Sequence, residues 1–177
     1  ISNKELFVSP DIGMSFDGPI SNAFIYFKHG DESLNELILS GDVSTNEVIL
    51  SKIVFKELYN LDLSVSLNRS EETTANKNYL IVGSENFEKN RFADGITLAE
   101  EVNELINAPY VNYILASASE ETLKEFVSTY KNKIADSTAV DLPAIARGRS
   151  ELAMEFIISN IHHLIMSFEE QDVEGIK

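Results

Sequence analysis

The stretch Tyr79-Leu80-Ile81-Val82-Gly83-Ser84-Glu85-Asn86-Phe87 (YLIVGSENF, residues 79–87) decides the fold class. Four consecutive apolar residues fit a short strand buried on both faces. Gly83-Ser84 breaks that run, and Glu85–Lys89 reads as the opening of a short helix. A buried strand running directly into a helix is the unit from which α/β sheets are built.

Upstream, Phe7-Val8 and Ala23–Phe27 read as strands, separated by turn chemistry at Ser9-Pro10-Asp11 and Asp17-Gly18-Pro19. Asp31–Leu39 reads as weakly helical. Ser44-Thr45-Asn46-Glu47 is a capping box, in which Ser44 and Glu47 satisfy each other's free backbone donors. Leu50, Ile53, Val54 and Leu58 then repeat at helical spacing, and Asn60 offers a stop. The polar stretch Asn68–Asn78 reads as a surface loop.

Downstream, Thr97-Leu98-Ala99-Glu100 is a second capping box that starts a helix to about Ile106, and Pro109 closes the region. Tyr110–Leu115 reads as another buried strand, and Ser117-Ala118-Ser119-Glu120 caps a helix to about Ile134. From about Leu142 the pattern is helical, with Ala153, Phe156, Ile157, Ile161, Leu164, Ile165 and Phe168 forming one stripe. Strands alternating with helices predict a largely parallel or mixed sheet, with a helical tail packed back onto it.

The 177 residues suit one domain, or one domain plus part of another. With 44% apolar residues, including ten Phe and six Tyr, the chain has material for a substantial core. Its 29 acidic against 14 basic residues give a net charge of -15, which repels nucleic acid and anionic membrane surfaces alike. The absence of cysteine removes disulfides, thiolate metal sites and cysteine nucleophiles, and fits a cytoplasmic protein best, although a periplasmic protein can also lack cysteine. No secretory signal is expected at the polar start Ile1–Glu5, and no apolar run approaches the length of a bilayer span.

Familiar catalytic and cofactor motifs are missing. His29, His162 and His163 lack metal-ligand spacing, and adjacent helical residues such as the last two point about 100° apart. No dinucleotide or phosphate-binding glycine loop occurs, and no serine sits in a nucleophile elbow. Glu100-Glu101, Glu120-Glu121 and Glu169-Glu170 read as solvated or dipole-compensating pairs. Polar residues remain where turns meet helix starts: Ser15, Asp17, Gly18 and Asn22, then Ser44, Thr45 and Asn46, then Gly83 and Ser84. They can serve as plain caps and turns, or as hydrogen-bond donors to a carboxylate.

Five blocks in order resemble the chorismate dehydratases of the futalosine menaquinone route. GPISNAFIYFK (within Leu6–Lys28) is similar to that family's Gly-Pro-Val-x-Ser-Val stretch and the strand after it. VSTNEVILSKIVFK (Val43–Lys56) resembles its Ser-Arg-Thr-Ser motif and following helix, and YLIVGSENF its Leu-Ile-Gly-Asp-x-Ala-Leu. LAEEVNELINAPYV (Leu98–Val111) is similar to the family's helix and Leu-Pro-Phe-Val strand. FIISNIHHLIMSFEEQDVEGIK (Phe156–Lys177) resembles its closing helix and Glu-x-x-Gly-Leu turn. Asn22, Asn46 and Ser84 stand where the family has Ser, Ser and Asp, whereas Thr45 and Gly83 match.

The resemblance implies a periplasmic-binding-protein-like (type II) α/β lobe with a mixed sheet and C-terminal helices. Residues 1–28 would form a crossover segment and strand, 29–118 a second lobe, and 119–177 a helical return to the first lobe. The family's first-lobe βαβ segment, with a Tyr-Leu-Asn whose Asn is expected in catalysis, has no counterpart among these blocks. The tail stripe would then be buried outside the middle lobe. The implied activity is loss of water from chorismate to give an enolpyruvyl-oxy-benzoate, without metal or cofactor. The alternative is a non-catalytic solute-binding protein for a small carboxylate. Under either, Asn22, Thr45, Asn46, Gly83 and Ser84 converge as the substrate-binding set. Arg147 and Arg149 are possible additional carboxylate partners, though a solvent-facing place at a helix end is the simpler expectation. A purely structural domain would scatter these residues.

Overall fold

The central strands are buried at nearly every position, on both faces, so the sheet is covered by helices on each side. The computed structural model of the protein describes residues 5–28, 34–68, 76–88, 90–136 and 148–168, the side chains of 134–136 excepted. Among these lie two sheets and five helices. The strands are β1 (Phe7–Phe16), β2 (Ala23–Tyr26), β3 (Glu36–Gly41), β4 (Ser64–Leu67), β5 (Tyr79–Val82), β6 (Ile96–Thr97), β7 (Tyr110–Ser117) and β8 (Leu164–Ser167). The helices are α1 (Thr45–Tyr59), α2 (Glu85–Glu88), α3 (Leu98–Ile106), α4 (Glu120–Asp136) and α5 (Glu151–Asn160).

The larger sheet has the order β4-β3-β5-β2-β6 and the smaller one β7-β1-β8. β3 pairs in parallel with β4 and β5, whereas β2 runs against both β5 and β6. The large sheet is therefore mixed, with β2 its reversed strand. The chain leaves the small sheet after β1, builds the large sheet from β2 to β6, and re-enters the small sheet at β7.

On one face of the large sheet Leu37, Leu39, Leu80, Val82, Ala23 and Ile25 pack against Val54 and Phe55 of α1 and Leu98, Ala99 and Val102 of α3. On the other face Phe24 meets Phe87, Phe92, Ala153 and Ile157. Each of the buried Val, Leu, Ile and Phe side chains contributes about 1.5–3 kcal/mol relative to exposure. All three expected helix starts are capped, the one before α4 by Ser119 Oγ accepting from the Thr122 N–H at 3.3 Å. Ser44 and Glu47 form the full box before α1, and Thr97 Oγ1 accepts from the Glu100 N–H at 3.1 Å before α3. Asn60 ends α1 in the left-handed region at φ 54°.

Four expectations are corrected. Within Asp31–Leu39, residues 36–39 are strand rather than helix, because Leu37, Ile38 and Leu39 lie between two parallel neighbours and are buried on both faces. Tertiary packing overrides the modest helix propensity of Glu and Leu there. Ser9-Pro10-Asp11 does not end the first strand. Ser9 Oγ accepts from the Asp11 and Ile12 N–H groups, and the irregularity is absorbed as a register shift inside β1. β7 is an edge strand, so Tyr113 and Ile114 are exposed rather than buried.

The tail is the fourth correction. Its stripe is helical only through α5. After a 3₁₀ turn at Ile161–His163, residues 164–167 form a strand against β1, with Ile165 opposite Ser15 and Leu164 opposite Phe16. Ala153 and Ile157 pack on the large sheet through Phe24, not away from it. The His162 and His163 rings lie close together, with centroids 4.0 Å apart, because the tight turn replaces the expected helix. The short strand β4 was not foreseen; SVSL is too brief and polar to stand out. Among the described residues no helix is long and apolar enough to cross a membrane.

Two glycines differ in kind. Gly41 has φ 84° and a Cβ there would lie 2.0 Å from the Val82 carbonyl oxygen, so the β3–α1 turn closes onto β5 only without a side chain. Gly148 has φ 73° with nothing within 4 Å of its would-be Cβ. Gly148→Ala is expected to cost about 1–2 kcal/mol through backbone strain alone. Gly41→Ala should cost at least about 3 kcal/mol, since it adds a backbone clash to that strain. Urea unfolding of both variants checks this, and equal losses would contradict the close approach.

Candidate functional site

Parallel pairing brings two strand-to-helix turns side by side. Gly41 at the end of β3 lies opposite Val82 at the end of β5, and the Asp42 N–H donates to the Val82 carbonyl at 3.0 Å. β2 runs the other way and begins opposite Val82, so Asn22 arrives at the same end. The Gly83 N–H donates to the Asn22 carbonyl at 2.7 Å. Three turns from distant parts of the sequence thus share one end of the sheet.

Asn86 ties them together. It is fully buried, and its amide NH₂ donates to the carbonyls of Ile81 at 3.0 Å, Gly83 at 3.1 Å and Asn22 at 3.3 Å. Two N–H groups thereby serve three acceptors, with one bond shared. Its Oδ1 accepts from the Tyr26 hydroxyl at 2.7 Å. Burial pushes the Tyr26 phenol well above the usual tyrosine range, with nearby Arg91 pulling the other way, so this donor keeps its proton.

Against this end of the sheet lies a cavity of about 330 Å³ lined from both sheets. Met14 and Phe16 of β1, Leu164 of β8, Ile157 of α5, Phe87 of α2 and Ile20 form its apolar wall. Ser21, Asn22, Gly83, Ser84 and Arg149 form its polar wall. Among the described lining residues, Arg149 is the charged one. It precedes Ser150, the N-cap of α5, and its Nε is out of solvent. A mostly apolar hollow with a few convergent polar groups has the make-up of a small-molecule site.

Of the five residues expected to converge, Asn22, Gly83 and Ser84 meet in this wall. Thr45 and Asn46 do not line it. They are exposed in the first turn of α1, on the neighbouring turn, where the Asn46 N–H donates to Ser44 Oγ at 3.1 Å. The helix after Ser84 has four residues, a single turn, and so adds little dipole of its own. Ser84 Oγ donates to Glu88 at 2.7 Å. Arg147 lies outside the described residues, whereas Arg149 is half-buried in the cavity wall rather than solvent-facing. Asp42 was missed: its carboxylate would lie 2.9 Å from a Cβ on Gly83, at the rim of the polar wall. An acid directly after a strand-ending glycine was the available signal.

A larger groove of about 610 Å³ runs between the start of β1 and α4, lined by Phe7, Val8, Leu123 and Val127. Its charges are matched within the groove: Lys131 with Asp11 at 3.1 Å and Lys124 with Glu120 at 2.6 Å. It offers no net charge to a ligand. Among the described residues no group of His, Cys, Asp and Glu could hold a metal ion.

Asn86→Leu removes the donors to three carbonyls and the acceptor for Tyr26 while preserving volume. Leaving buried polar groups unmatched costs about 1–3 kcal/mol each, so a loss of about 3 kcal/mol or more is expected in urea unfolding. A loss below about 1 kcal/mol would show that Asn86 does not organise these turns.

No protein-family model matches the chain, and no curated protein matches it in sequence.

Proposed function

We propose that this protein binds a small organic carboxylate in the cleft between its two sheets, in the manner of a two-lobed binding-protein fold. The observation that carries the reading is the cavity in which Asn22, Gly83 and Ser84 from the large sheet face Met14, Phe16 and Leu164 from the small one, with Arg149 in the wall. Ser21, Asn22 and Ser84 offer polar side chains that can hydrogen-bond a carboxylate, and Arg149 brings positive charge to the same wall. The chain crosses from the small sheet to the large one and back, which is the connectivity that a periplasmic-binding-protein-like arrangement requires. We assign it to the cytoplasm, where a cysteine-free domain needs no oxidative chemistry to fold.

Dehydration of chorismate is the catalytic form of this reading, and Asp42 favours it. Loss of water from that substrate needs a group to take up the ring proton. The described residues that line the cavity supply neither a carboxylate nor an imidazole, but Asp42 stands on the adjoining turn beside Gly83. Binding is therefore the function the geometry supports best, with turnover dependent on Asp42 reaching a bound substrate.

Calorimetric titration with benzoate and with chorismate, followed by chromatography for an enol-ether product, tests both. Saturable binding of a carboxylate at one site per chain is expected. Ser84→Trp, which fills the cavity, should abolish it. Affinity unchanged in Ser84→Trp would overturn the cleft as the site. Product formation that disappears in Asp42→Asn while binding persists would establish the lyase instead.

A further inference from the structure

Among the described residues the two sheets have four outer edges, at β4 and β6 of one and at β7 and β8 of the other. Three of these are blunted. β4 and β8 are four residues long and β6 only two. Beside β4 the Glu36 carboxylate also places charge, accepting the Ser66 hydroxyl at 3.2 Å. Shortness and charge are the usual means by which an unpaired row of N–H and C=O groups is kept from taking on a further strand.

β7 uses neither. It is eight residues long, and residues 105–119 include no Lys, Arg, Asp or Glu, although these make up 24% of the chain. β1 occupies its inner edge, and among the described residues nothing pairs with the outer one. The irregularity in β7 itself is one extra residue, Asn112, where Met14 and Ser15 stand opposite Tyr113 and Val111. Residues 113–117 beyond it form an edge of about five residues, the usual length of a strand. Tyr113 and Ile114 are 56% and 42% exposed there.

Charge decides the partner. At -15 the chain repels a copy of itself across most of its surface. A basic partner would engage the acidic residues, not a stretch that has none. The uncharged edge is where two copies approach without that penalty. A two-fold axis across it sets strand antiparallel to strand, so each copy supplies the pairing groups the other lacks. The exposed Tyr113 and Ile114 of one copy are then covered by the same stretch of the other.

We propose that two copies of this chain pair antiparallel through β7, joining their small sheets into one continuous sheet. The cavity between the sheets is lined from β1 and β8 and not from β7, so the dimer leaves it open. One strand edge buries less than the roughly 1,200 Å² of a standard interface, so the dimer is weak, with a Kd of about 10 μM or above.

Sedimentation velocity of the full chain over a concentration series, at low and at high salt, tests this. A monomer–dimer equilibrium without larger species is expected, and it should tighten as salt screens the charge on the two copies. Hydrogen exchange should show the amides of residues 113–117 growing more protected as concentration rises. Ile114→Lys, which brings two like charges together near the axis, should weaken the dimer at least about tenfold, even though it lowers the net charge of each copy. Leu67→Lys makes the same charge change at the exposed edge of β4 and should leave the dimer unaltered. Circular dichroism and the urea midpoint would show that both variants are folded. Should Ile114→Lys fail to fold, the concentration-dependent protection of residues 113–117 decides. A chain that stays monomeric at about 1 mM in high salt would overturn the proposal. So would open-ended larger species, or a dimer that folded Ile114→Lys leaves intact or that Leu67→Lys weakens equally.

Discussion

The buried side chain of Asn86 sets the arrangement on which the rest of this structure depends. Its amide bonds three carbonyls contributed by β5, by the turn after it and by the residue before β2, and it accepts the Tyr26 hydroxyl. Such a residue is stable in a core only if its polar atoms are matched, and here they are. The consequence is positional. Asn22 and Gly83 are held at one height at the end of the large sheet, where the small sheet and α5 close over them to leave a cavity. A hydrophobic residue at position 86 could fill the volume but could not fix those carbonyls.

The sheet itself divides its labour by parity. Along β5, Leu80 and Val82 join the core under α1 and α3, while Tyr79 and Ile81 face the opposite side. Along β2, Ala23 and Ile25 face the first core and Phe24 the second. Because both faces are covered, helices that follow in sequence must alternate sides or arrive late, as α5 does. The late arrival of α5 carries Arg149 and Ile157 into the cleft wall, although they lie more than sixty residues beyond Gly83 in the sequence.

Local chemistry in the sequence was readable where it is satisfied locally. The two capping residues Ser44 and Thr97 and the stop at Asn60 depend on near neighbours, and each stands where its residues predict; the strand Tyr79–Val82 was legible because its apolar run is unbroken. Features decided by distant partners were not. Glu36–Leu39 is a strand because β4 and β5 flank it, and Leu164–Ser167 is a strand because β1 offers it an edge. The site shows the same division. Asn22, Gly83 and Ser84 were legible as polar residues at turns, but Thr45 and Asn46 stand one turn too far along the rim. Arg149 looked like a helix-end cation because nothing in its local sequence reveals the cavity that β1 and β8 complete. Asp42 drew no attention because its neighbour Gly83 is forty-one positions away.

Chemical-shift mapping during a benzoate titration tests the central claim most directly, because it chooses between the cleft and the β1–α4 groove. If the cleft is the binding site, the amide resonances of Asn22, Gly83 and Ser84 and the side-chain Nε–H of Arg149 shift together and saturate together. Residues of the β1–α4 groove, such as Val8 and Leu123, stay still. Saturable shifts confined to Val8, Leu123 and their neighbours, with Gly83 and Arg149 unmoved, would contradict the account.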